Sequence, residues 1–282
     1  MDNIHCIDIS TRPVIPEGLY ATNNQFLRRG PKGFIQVKVL ENENLYVRVD
    51  LPGVPDNAVR YRVDGVRQKV VFFSGETLED VNEKDGVREY SGTAGLGCNC
   101  CVITDVDAKM KNGVLRMILS RVKVNKDDKN KCTLTLPPFT GQSGRDVEDH
   151  PYVVKGRKRV FFWGSTVNGG AYISVDIPGV SKDGVIVFGT ETEMTFHAET
   201  TNVYEHDESA QIYRGKIIIP SFSPAPANLS KIMSLTAEFG VLKIFLKHPR
   251  NTNTNSNANT NTNANTNTNT NPNANANANA TT

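Results

Sequence analysis

The chain has 282 residues, and 32 basic against 30 acidic side chains leave a formal net charge of +2. That balance gives no reason to expect a polyanion as the main partner. No run of about 18 apolar residues occurs, so no membrane-spanning helix is expected, while the length suits two domains of about 100 residues each.

The start, MDNIHCIDIS, lacks the basic and apolar regions of a secretory leader. With an odd count of five cysteines, an intracellular protein with reduced thiols is expected, cytoplasmic, with a nuclear location left open. Residues 1–29 read as an N-terminal arm. In 45–51, Leu45, Val47, Val49 and Leu51 alternate with Tyr46, Arg48 and Asp50, the period-two pattern of a strand with one buried face. Pro52-Gly53 stops that strand, because proline has no N–H to donate and glycine permits a turn. AVRYRV at 58–63 and KVVFFS at 69–74 read as further strands, with one helical turn expected around 56–58. KNGVLRMIL at 111–119 supplies a closing strand. Residues 123–155 form a polar linker that would let the two halves move independently. The strand series then returns with AYISVDIPGV at 171–180, VIVF at 185–188, MTFHA at 194–198 and GVLKIFL at 240–246; a second helical turn is expected at 227–232. From residue 249 the chain turns into an Asn, Thr and Ala tract that cannot bury a core, and this tail is expected to be disordered.

The second strand series repeats the first. Tyr46, Asp50, Pro52 and Gly53 recur as Tyr172, Asp176, Pro178 and Gly179, each 126 positions later, and Gly30 and Gly156 keep the same offset. Gly113 and Gly240 follow at 127. Ordered anchors at one offset mark a tandem repeat. Short strands with regular turn signals indicate an all-β fold: two tandem immunoglobulin-like antiparallel β-sandwiches over residues 30–122 and 156–248.

One arrangement is shared with a known family. A strand ending in Leu51-Pro52-Gly53-Val54 is followed by Ser74-Gly75-Glu76, a charged loop at 77–89, and Ala108-Lys109-Met110-Lys111-Asn112-Gly113-Val114-Leu115. The second copy supplies Ile177-Pro178-Gly179-Val180 and the run from Leu235 to Gly240-Val241-Leu242. This order resembles the plant alpha-crystallin domain of the small heat-shock protein family, and the whole chain is similar to its tandem, divergent members. The resemblance implies a groove at a sheet edge that accepts extended apolar segments, backbone to backbone, with alternate side chains in pockets. It makes Val59, Tyr61, Val63, Val185 and Val187 candidates for a protein-binding edge. It implies ATP-independent binding of unfolded or partly folded client proteins, self-association, and a link to heat and stress response and protein folding. A homodimer that swaps a strand of the charged loop is one implied assembly, and pairing of the two halves within one chain is another.

The chain departs from that family at three places. No Ile-x-Ile/Val motif follows the closing strand, the arm is short, and the charged loop lacks a tryptophan. Tandem members include nuclear, chaperone-like subunits of anti-silencing, DNA-demethylation complexes. The alternative reading is therefore a dedicated adaptor with little general holding activity.

Other patterns point away from catalysis and cofactors. There is no phosphate-binding glycine loop and no nucleophile–base constellation, so no enzyme, cofactor or small-molecule substrate is expected. Cys98-Asn99-Cys100-Cys101, with Cys132 as a fourth ligand, could suggest a zinc site, but the run lacks the spacing of a zinc knuckle, and on a strand Cys100 and Cys101 would face opposite ways, so buried packing is expected and no metal. None of the five histidines has metal-ligand spacing with another. Lys155-Gly156-Arg157-Lys158-Arg159 reads as an import signal or as a strand-leading loop. Without interleaved exposed aromatics, direct nucleic-acid binding is not expected.

Overall fold

A computed structural model describes residues 5–8, 24–31, 33–80, 86–124, 133–136, 149–166, 170–189, 193–207, 209–218 and 232–246. The expected tail therefore lies outside the described residues, as do 227–231 of the second expected helical turn, while Ile232 already begins a strand.

The fold is all-β. The strands are β1 (His5–Asp8), β2 (Leu27–Arg29), β3 (Ile35–Val39), β4 (Leu45–Asp50), β5 (Arg60–Val63), β6 (Val70–Glu76), β7 (Glu89–Leu96), β8 (Cys101–Lys111) and β9 (Val114–Lys123). They continue with β10 (Thr133–Leu136), β11 (Val153–Lys155), β12 (Phe161–Ser165), β13 (Ala171–Asp176), β14 (Val185–Gly189), β15 (Glu193–Glu199), β16 (Ile212–Ile218), β17 (Ile232–Glu238) and β18 (Val241–Leu246). All pairings are antiparallel, and they make four sheets. The helical turn expected at 56–58 is instead a turn at Asp56-Asn57, and its counterpart Lys182–Gly184 is the 3-10 helix.

The first sandwich stacks β3-β4-β9-β8 against β1-β10-β7-β6-β5. Val47, Val49, Leu115 and Met117 from one sheet meet Val71, Phe73, Tyr90 and Ala94 from the other in one buried core. The second stacks β12-β13-β18-β17 against β14-β15-β16-β2, around Ile173, Val175, Leu242 and Ile244 facing Met194, Phe196, Ala198 and Tyr213. The core-facing residues are those the alternation singled out, but β4 and β13 do not have one solvated face as expected, because the alternate residues Tyr46, Arg48, Asp50, Tyr172, Ser174 and Asp176 are buried too.

The boundaries differ from the sequence reading in one respect. β2 lies in the span read as an arm, yet it pairs with β16 of the second sandwich. β11 closes the span read as linker, yet it pairs with β7 of the first. The side chains follow the strands. Phe26 sits in the second core, edge-on to Phe196 at 5.2 Å, while Tyr152 sits in the first, edge-on to Phe73 at 5.0 Å. These residues are 126 apart, so each half lends the same segment to the other. Independent movement of the halves is corrected accordingly, because each core is completed by a segment from the opposite half.

Candidate protein-binding edges

The repeated motifs meet at the junction of the sandwiches. Leu51 N–H donates to the Gly113 carbonyl and Ile177 N–H to that of Gly240, both at 2.8 Å. Gly53 N–H then crosses to the Phe239 carbonyl and Gly179 N–H to the Asn112 carbonyl, again at 2.8 Å. Gly113 (φ 71°) and Gly240 (φ 70°) are left-handed, and a Cβ on either would strike the opposing carbonyl. Leu51, Val114, Leu115, Val241 and Leu242 are buried there, and the Tyr90 and Tyr213 hydroxyls donate to the carbonyls of Pro52 (2.7 Å) and Pro178 (2.9 Å).

Charges hold the same junction. Arg88 of the first half contacts Asp176 of the second at 2.9 Å, and Arg157 reaches the other carboxylate oxygen at 3.2 Å, all three groups buried. Asp50, the repeat partner of Asp176, lies 2.7 Å from Arg48 as a close ion pair without hydrogen-bond alignment. Burial outweighs the Arg48 charge there and pushes the Asp50 carboxyl up to about 6. The loops are exchanged as well. Asp80 accepts from Tyr172 (2.9 Å) and Lys243 (2.6 Å), while Asp207 accepts from Tyr46 and from Arg116 (2.7 Å). Burial works against the Asp207 carboxylate, but the Arg116 bond and charge win and hold its pKa low. The charged loop at 77–89 thus docks in-chain through Asp80. Its residues 81–85 lie outside the described residues.

Among the described residues, the sheets end in strands with a partner on one side only. β1 and β5, and β3 and β8, end the two sheets of the first sandwich; β2 and β14, and β12 and β17, end those of the second, and the rims considered are β5–β8 and β14–β17. Val59 just before β5, Val63 on β5, and Val106, Ala108 and Met110 on β8 are half-buried against one core. Asp56 ties the two strands at one end, accepting from Lys111 Nζ at 2.8 Å and from the Asn112 N–H at 3.2 Å. Tyr61 is 46% exposed. Val185, Val187 and Leu235 occupy the matching rim of the second sandwich. Tyr61 and Val63 therefore fall on the terminal strand β5, with Val59 just before it, and Val185 and Val187 on the terminal strand β14. Sequence reasoning passed over their outward neighbours Ile186 (53% exposed) and Phe188 (66%). The signal was present, since VIVF is apolar at successive positions whereas a strand with one solvated face alternates.

Two further features of the sequence reading have a place here, and one changes. The basic run leads from β11 to β12; Arg157 is buried on Asp176 and Ser174 and Lys155 contacts Glu89 at 2.6 Å, while Lys158 and Arg159 are exposed. Cys100 and Cys101 do not face opposite ways, because Cys100 lies in a bend before β8 and their sulfurs are 3.5 Å apart.

Residues 6–249 match the family described as "Predicted plant small heat shock protein". The chain belongs to this family. A protein of Arabidopsis thaliana whose name describes a 57 kDa heat shock protein is 37% identical over 110 residues, 39% of this chain and 20% of the relative. The Glycine max "Heat shock 22 kDa protein, mitochondrial" is 30% identical over 28% of this chain and 36% of its own length. The Arabidopsis thaliana "23.6 kDa heat shock protein, mitochondrial" is 29% identical over 29% and 40%. The chain thus spans well under two thirds of each relative's length. Among the described residues, no helix is long and apolar enough to cross a membrane.

Proposed function

We propose that this small heat-shock family member is an ATP-independent chaperone that binds unfolded or partly folded proteins along its open edges, and that it works by binding rather than catalysis. The observation that carries the reading is the β14 edge, where a terminal strand presents Ile186 and Phe188 to solvent beside half-buried Val185 and Val187. Free backbone groups on such an edge accept an extended client segment, and the apolar side chains take its alternate residues. The β5–β8 rim of the first sandwich offers a second such place, with Val59, Tyr61 and Val63. Self-association uses the same edges, since segment exchange is already satisfied within the chain. The cytoplasm is the proposed compartment; two relatives are named as mitochondrial, so localisation of the tagged full chain tests this point.

The decisive experiment heats a model client with the purified chain and follows light scattering. Wild type is expected to slow client aggregation in the absence of nucleotide. Ile186→Asp with Phe188→Asp is expected to abolish most of that protection while unfolding at the wild-type denaturant concentration, because exposed positions tolerate charge. If the client precipitates equally fast with and without wild-type protein, holding activity is refuted and the dedicated-adaptor reading takes its place.

A further inference from the structure

Three cysteines converge at the turn between β7 and β8. Cys98, Cys100 and Cys101 are all buried, and their sulfur atoms lie within 4.8 Å of one another. Cys100 Sγ is 3.1 Å from Cys98 Sγ and 3.5 Å from Cys101 Sγ, and all three are reduced. Packing alone does not account for the convergence. Small buried hydrophobes spread over the surface they fill, whereas soft sulfur atoms meeting at one point make a donor set. The second half has no cysteine in its corresponding stretch, IPSFSPAPANLS at 219–230, so the repeat does not require one here.

We propose that Cys98, Cys100 and Cys101 form a three-thiolate site for a thiophilic divalent cation of the zinc and cadmium type. With metal–sulfur bonds of about 2.3 Å, tetrahedral or trigonal donors stand about 3.8–4.0 Å apart, so the two short separations must widen by less than about 1 Å. Charge selects the valence. Three thiolates around a divalent ion leave one negative charge, and Lys69, whose ammonium donates to the Cys101 carbonyl, supplies the opposite one. A monovalent ion would leave two negative charges against one lysine in a buried setting, which is costly. Among the described residues no His, Asp or Glu joins the trio. Asn99, exposed on the bend, marks the side from which an ion enters.

Binding breaks three S–H bonds, forms three metal–sulfur bonds and releases three protons to solvent, with no change of oxidation state. Each thiol gives up its proton to the ion, so the ion must displace protons and binding tightens as pH rises.

The test uses the full chain carrying Cys6→Ser and Cys132→Ser, kept reduced and titrated with Cd2+ in excess Mg2+. The expected result is a thiolate-to-cadmium absorption band that saturates at one ion per chain, is reversed by Zn2+, and tightens at least tenfold from pH 6.5 to 7.5. Cys100→Ser is expected to weaken binding at least a hundredfold. Lys69→Met, which keeps all three thiols, is expected to weaken it several-fold and keeps the test valid if the serine variant fails to fold. Absence of the band in the folded chain overturns the site. So does a band unaltered by either substitution, or saturation beyond one ion.

Discussion

His150 and Asn24 hold the same place in the two halves, yet only one of them titrates. Asn24 Nδ2 donates to the Asp176 carbonyl at 2.7 Å, and its Oδ1 accepts from the Phe26 N–H at 3.2 Å. His150 makes the same two contacts, Nε2 with the Asp50 carbonyl at 2.8 Å and Nδ1 with the Tyr152 N–H at 3.3 Å. A carbonyl only accepts and an N–H only donates, so the partners assign the neutral ring with its proton on Nε2. Burial, with the Arg88 charge next, pushes its pKa down to about 3. The folded protein therefore resists a proton that the unfolded chain takes near pH 6.5. Stability from this residue is complete above about 6.5 and is lost as pH falls from there toward 3. Asp50 has the opposite sign. Its carboxyl is raised to about 6, so the folded state takes up a proton more readily and gains stability as pH falls through 6 toward 4. The two effects offset one another in the wild type. His150→Asn keeps both hydrogen bonds and removes one titration, so the variant should gain about 2 kcal/mol on wild type between pH 7.5 and pH 5. Urea unfolding of both proteins at the two pH values measures this, and a gap that does not change with pH would refute it.

At the level of the strand and its turn, Asp176 at the end of β13 is the most exposed to substitution. Two arginines from opposite halves, Arg88 and Arg157, converge on it with side chains at most 5% exposed. Removing one member of such a group strands the others as buried, uncompensated charge. Asp176→Ala is expected to cost about 3–5 kcal/mol, read as a drop in the urea midpoint at unchanged slope. A loss below about 1 kcal/mol would mean that water already screens the group. The strands themselves were legible in the sequence. Alternation located β4 and β13 to within a residue, and Gly113 and Gly240 announced the β8–β9 and β17–β18 turns, because only side-chain period and backbone strain are needed to see them. The partners of those motifs were not legible. β2 reads LRR and β11 reads VVK, three residues with no alternation, and nothing local says that each belongs to the other half's sheet. The cysteine turn was misread for a related reason. A single bend at Cys100 breaks the strand period, and the facing of Cys101 follows from that bend rather than from spacing.

Across the whole molecule, the exchange makes the two sandwiches one folding unit. Phe26 is needed where Gly215 leaves room beside Phe196, and Tyr152 where Gly92 leaves room beside Phe73. Each aromatic buries apolar surface worth about 2–3 kcal/mol in the other half's core. The backbone pairings and buried ions described above add cross-half contacts of their own. A cut between residues 137 and 148 should therefore not release the halves. A protease site inserted there and cleaved is expected to leave two fragments that co-elute at the intact size, because β2 stays in the second sandwich and β11 in the first. Urea should unfold the uncut chain in one transition, with tyrosine absorbance and far-ultraviolet ellipticity coinciding. The second half produced alone from residue 156 should unfold at markedly lower urea, and a peptide spanning residues 24–31 added in trans should raise its midpoint by mass action. Fragments that separate after the cut, or two resolved transitions in the intact chain, would show that the halves fold independently. The edge-binding reading would survive that outcome, since β14 and β5 would still be terminal strands. In-chain exchange would then no longer explain what the repeated motifs are for.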